Sequence, residues 1–96
     1  MSNYPSLAHL LGSYLHQDFE DEFPTAMDAV RTFGKGEPPD SVRSAADEIG
    51  ILLEDEPFRS APASVLFALG CYYDPRFDGM SATRWLKQVQ RALRVE

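Results

Sequence analysis

Two histidines, one cysteine and fifteen carboxylates are the side chains of this 96-residue sequence with the most chemistry to offer. On a helix, His9 and His16 would stand about 10.5 Å apart along the axis, whereas zinc–nitrogen bonds are about 2 Å. Both also fall opposite the apolar stripe that begins at Leu7, so they read as surface histidines rather than ligands. Cys71 is alone, which excludes an internal disulfide and a multi-thiolate zinc site within one chain. It follows Gly70 at the end of an apolar run, where a buried, inert thiol is expected. Cys71 paired with a histidine is conceivable as a nucleophile, but no Gly-x-Ser-x-Gly, His-Glu-x-x-His or phosphate-cradling glycine motif supports catalysis. No enzymatic activity, metal or cofactor is expected.

The carboxylates are distributed unevenly. Residues 1–58 carry a charge of −9 and residues 59–96 a charge of +3, for a net −6. That balance argues against direct nucleic-acid binding, which depends on cations neutralising phosphates. Five acids and no base lie between Asp18 and Asp28, and they interleave with Phe19 and Phe23. Tyr72, Tyr73, Asp74, Phe77 and Asp78 form a second aromatic–acidic cluster. Either cluster could simply be solvated surface or loop folded over the core. Carboxylates beside aromatic rings, however, offer charge and packing area together, which suits an interface with a basic protein. The partner-binding candidates are therefore Asp18, Glu20, Asp21, Glu22, Tyr72, Tyr73, Asp74 and Asp78, with one tyrosine expected buried and the other exposed. Asp18 has a complication: a helix continued from Leu7 would turn it toward the apolar side. Either that helix ends first or Asp18 accepts hydrogen bonds.

The elements that must position these residues read as helices. Ser6 is placed to cap the first, whose apolar face is Leu7, Leu10, Leu11, Tyr14 and Leu15. Thr25 caps a second, which buries Met27, Val30 and Phe33 and ends at Gly34. Lys35 to Pro39 is a loop. Pro39 or Asp40 opens a third helix burying Val42, Ala45, Ala46, Ile49, Leu52 and Leu53. Its closing acids, Glu54, Asp55 and Glu56, oppose the helix dipole. Phe58 to Pro62 reads as a connector. Ala63 to Leu69 fits a buried strand or a buried helix; helix is preferred, because no second strand is available to pair with it. Cys71 to Gly79 is a loop, and Ser81 caps a last helix burying Ala82, Trp85, Leu86, Val89, Ala92 and Leu93. The expected fold is all-α, one domain over residues 1–96, with about five helices joined by short loops. No apolar run approaches the roughly 20 residues of a membrane span, and residues 1–15 lack the basic start of a secretory leader. A cytoplasmic location is the expectation.

Two stretches resemble a family of bacterial immunity proteins from contact-dependent growth inhibition systems. The first is Tyr4-Pro5-Ser6-Leu7 followed by Leu11-Gly12-Ser13-Tyr14-Leu15-His16-Gln17-Asp18-Phe19. The second is Leu69-Gly70-Cys71-Tyr72-Tyr73-Asp74-Pro75, with Gly79-Met80-Ser81 and Trp85-Leu86. Leu15 and Phe19 depart from the family pattern, which has a bulkier aromatic residue and Trp at those places. The resemblance implies a non-enzymatic inhibitor of the toxic C-terminal domain of a surface-delivered effector. Such toxins are often nucleases, so the implied partner is a basic toxin domain. The residues alone also admit an acidic regulatory adaptor or nucleic-acid mimic that binds some other basic protein.

Overall fold

The computed structural model describes residues 4–95, and among them every regular element is helical. In chain order these are α1 (Pro5–Tyr14), α2 (Phe19–Glu22), α3 (Ala26–Gly36), α4 (Pro39–Leu53), α5 (Glu56–Ser60), α6 (Pro62–Ala68) and α7 (Ala82–Val95). A single 3-10 turn, Pro75–Asp78, lies between α6 and α7. The five helices of seven residues or more correspond to the five expected from periodicity. The two extra ones, α2 and α5, are about one turn each and are too short for a 3.6-residue pattern to register.

Helices α1, α3, α4 and α7 form the body, with α7 lying against α4 and α3, and α1 against α4 and α3. The core between them holds Leu7, Leu10, Leu11, Val30, Phe33, Ile49, Leu52, Trp85, Leu86 and Val89, all but closed to solvent. These are the positions the apolar spacing selects. Where α4 crosses α7, Gln90 Nε2 donates to the Ala46 carbonyl at 3.0 Å.

Several helix ends differ from the sequence expectation, each for a local reason. Helix α1 begins at Pro5 rather than after a Ser6 cap, because proline is preset for the first helical position and has no N–H to satisfy. The orphan N–H of Leu7 is instead satisfied across the fold, donating to Glu48 Oε1 of α4 at 2.8 Å. Helix α3 starts as expected, with Thr25 Oγ1 accepting from the Asp28 N–H at 3.1 Å, but it runs through Gly34 to Gly36. Phe58 is fully buried within α5 rather than in a connector. The unfavourable acids after α4 are resolved the same way. Asp55 precedes α5 and Glu56 lies in its first turn, so these two acids face the favourable end of a new helix. Asp55 also accepts from the Tyr4 hydroxyl at 3.1 Å.

Candidate functional site

Phe19 is the residue that organises the first acidic cluster. Helix α1 stops at Tyr14, so Asp18 never reaches the apolar face that an extended helix would give it. It lies exposed just before α2, and its backbone N–H donates to His16 Nδ1 at 3.0 Å. The one-turn α2 then buries Phe19 in the body of the protein. With that face of the turn committed, Glu20, Asp21 and Glu22 project into solvent. Glu22 Oε2 lies 3.2 Å from His16 Nε2. Among the described residues, the side chains of Glu20 and Asp21 have no ion-pair or hydrogen-bond partner.

The second cluster is held by the loop after α6. Gly70 takes a left-handed conformation, with φ of 99°, that turns the chain away from the helix. It passes so close to α1 that a Cβ there would stand 2.9 Å from the Gly12 Cα. The Tyr72 N–H then donates to the Leu15 carbonyl at 2.9 Å, which ties this loop to the turn before α2. Tyr73 faces inward. Its ring lies 5.2 Å from that of Trp85 and 5.9 Å, edge-on, from that of Phe19. Its hydroxyl donates to Asp78 at the surface. Tyr72 is exposed, as expected of one of the pair, while Tyr73 is half-buried rather than buried.

The Phe19–Tyr73 contact brings the two clusters, distant in sequence, into one place. Between them lies a cleft of about 510 Å³ whose walls include Phe19, Glu20, Tyr72, Tyr73, Asp74, Phe77 and Asp78. Five of the eight candidate residues line it. Asp18, Asp21 and Glu22 do not, and lie outside it on the α2 side. The electrostatics of the cleft are not a simple sum of its carboxylates. Asp74 accepts from the Arg76 backbone N–H at 3.0 Å and from its guanidinium at 2.7 Å, which holds its carboxyl below the usual carboxylate range. Its charge is therefore largely offset by Arg76. Glu20 and Asp78 supply the uncompensated negative charge. Burial pushes the Tyr73 hydroxyl upward, and the bond to Asp78 adds to the shift, so Tyr73 stays a donor through the neutral range.

Cys71 is buried beside this loop, and burial pushes its thiol up to about 12. It donates to the Tyr73 carbonyl at 3.3 Å and serves as packing. One histidine arrangement is absent from any sequence motif. Ser13 Oγ lies 3.2 Å from His9 Nδ1, and His9 Nε2 lies 3.3 Å from Glu37 Oε2, in the order of a hydrolytic relay. Ser13 and His9 are one turn apart on α1, where the neighbouring backbone N–H groups are committed to the helix and offer no oxyanion donors. Glu37 is drawn instead into packing. It accepts from the Tyr14 hydroxyl at 2.8 Å, which lowers its carboxyl more than His9 does. No group of three or more potential metal ligands occurs among the described residues.

Two exposed aromatics beside the cleft were not among the candidates. Phe77 is 86% exposed and lies on its rim. Phe67, expected to be buried with the rest of α6, is 61% exposed and packs edge-on to Tyr72 at 5.2 Å. Helix α6 buries only Leu66, and Phe67, one position further on, is rotated about 100° off that face. Their exposure follows from which face each short element turns inward, which a run of apolar letters does not specify.

Comparison with protein families matches residues 3–93 to the family described as CdiI immunity protein. No curated protein and no solved structure gives a significant match. The match covers both segments that meet at the cleft and every helix except the last two residues of α7. The chain belongs to the CdiI immunity protein family.

Proposed function

We propose that this immunity protein neutralises its cognate toxin domain by docking the acidic–aromatic face around the 72–78 cleft onto a basic surface of that domain. The toxin is a nuclease in this reading, because an enzyme acting on a polyanion must present cations that an acidic inhibitor can occupy. The observation that carries the proposal is the convergence of the two clusters. The Phe19–Tyr73 contact joins the two clusters, and Glu20 and Asp78 line one cleft together with the exposed ring of Tyr72. Uncompensated carboxylates steer a positively charged partner into encounter, and desolvated aromatic rings slow its departure. Glu20, Asp21 and Glu22 are the steering group, Tyr72 supplies contact area, and Tyr73 and Asp78 hold the cleft in shape. Asp18 and Asp74 act locally, as the residue preceding α2 and as the partner of Arg76. The protein performs no catalysis and works in the cytoplasm of the producing cell, intercepting incoming toxin.

Charge reversal of Glu20, Asp21 and Glu22 to Lys, measured by stopped-flow association with the effector's C-terminal domain at several salt concentrations, tests this. The expected result is an association rate lowered by about tenfold or more at low salt, with a flattened salt dependence. An unchanged rate and an unchanged slope would remove the α2 acids from the docking surface.

A further inference from the structure

Beside the acidic cleft, and sharing Tyr72, Tyr73 and Asp74 with it, lies a second groove of about 490 Å³ with a different character. Its walls are largely apolar and include Pro62, Leu66, Phe67, Tyr72, Pro75 and Ala82. Among the described residues, the charged side chains along it are Asp74 and Arg76, and these two neutralise each other. Tyr72, Tyr73 and Asp74 line both depressions, so the two meet along a shared wall. The wall is capped by the rings of Tyr72 and Phe67, which pack on each other yet stay 52% and 61% exposed. Large aromatics left open to water beside a concave apolar surface mark an interaction site more than a stability device.

We infer that this pair of depressions is a two-point reader of the toxin surface. The apolar groove takes an uncharged aliphatic or aromatic side chain, and the acidic cleft takes a neighbouring Arg or Lys. This rests on the proposed toxin-docking role and adds the chemistry of the contact. The occupant is chosen by charge: the cleft adjoining the groove carries Glu20, whose side chain is unpaired among the described residues, and the negative Asp78, so a partner that covers both must present a cation to the cleft beside its apolar side chain. A basic protein surface meets that condition. A second copy of this chain, with net charge −6, meets it best through α7, where the cations Arg84, Lys87 and Arg91 are clustered; elsewhere among the described residues its exposed cations without an ion pair, Lys35 and Arg59, stand singly. The division of labour follows from physics. The cation is drawn in over a distance and governs how fast the partners meet, while the apolar side chain is desolvated only on contact and governs how long they stay.

The test uses the full chain and the purified, catalytically inactivated C-terminal domain of the effector. Phe67→Ala and Tyr72→Ala each truncate an exposed ring, so melting temperatures close to wild type are expected and confirm that the fold is intact. Each should weaken binding about thirtyfold, almost entirely through faster dissociation, with the salt dependence of association unchanged. Tyr72→Phe, which keeps the ring, should retain most of the affinity. Wild-type affinity in both truncations, alongside slowed association in the α2 charge reversal, would overturn the apolar contact and leave the acidic docking face standing. Wild-type behaviour in all the variants would remove both readings. Sedimentation at high concentration supplies the remaining outcome: a dimer that Phe67→Ala dissociates would assign the groove to a second copy and overturn the inference.

Discussion

Gly70 shows how strongly one position constrains the candidate site. Its positive φ starts the turn that carries Tyr72 and Tyr73 to their places, and the space a side chain would need is already filled by the backbone of Gly12. Gly70→Ala should therefore cost about 2–4 kcal/mol, through backbone strain and the displacement of α1. Gly12→Ala, on the other side of the same crossing, meets only the Leu69 carbonyl at 3.9 Å. It should be neutral or stabilising by up to about 1 kcal/mol, since alanine is the better helix former. Urea unfolding of the two variants checks the asymmetry. Glu37 offers a second test at this scale. The Tyr14 hydroxyl first, and His9 second, hold its carboxyl below the ordinary value of 4.5. A group whose pKa is depressed by folding adds stability above its unfolded value, and that stability is lost as pH falls through the lower folded value. Wild-type stability should consequently drop below about pH 4.5, and Tyr14→Phe should show a shallower drop in acid urea titrations.

At the scale of elements, the short helices depend on tertiary partners rather than on their own propensity. Helix α1 has no side-chain cap, and the Leu7 N–H is satisfied by Glu48 from the middle of α4. Removing that acceptor leaves a part-buried donor without its partner, so Glu48→Ala should cost about 1–3 kcal/mol. Glu48→Gln, which retains a carbonyl oxygen at the same reach, should cost less. Chemical denaturation of the pair separates the hydrogen bond from the charge. The one-turn α2 is held by the burial of Phe19 and the ring contact with Tyr73, and α5 by Phe58. Isolated helices of this length are marginal in water, so each exists because the core accepts one aromatic from it.

Across the whole molecule, the fold turns the sequence's charge asymmetry into two faces. The acidic surface around α2 stands on one element set, and α7 presents Arg84, Lys87 and Arg91, whose side chains have no ion-pair partner among the described residues. Arg94, further along, reaches Asp47 of α4 at 3.3 Å. If a basic toxin approaches the acidic face, the α7 cations oppose that approach at long range. Reversing Arg84, Lys87 and Arg91 to Glu should then leave association with the toxin domain unslowed, and faster at low salt. Slower association would move the docking surface to α7.

The buried faces of α1, α3, α4 and α7 are legible in the sequence by itself, because a 3.6-residue repeat is a local property and Leu7, Phe33, Ile49 and Trp85 each sit on one. The two aromatic–acidic clusters were legible as compositions for the same reason. What the tertiary structure alone decided is that they share a cleft and that Phe67 faces water although its neighbours are apolar. Those outcomes depend on which elements cross and at what rotation. That is set by the packing of side chains far apart in the chain, and a linear pattern carries no record of it.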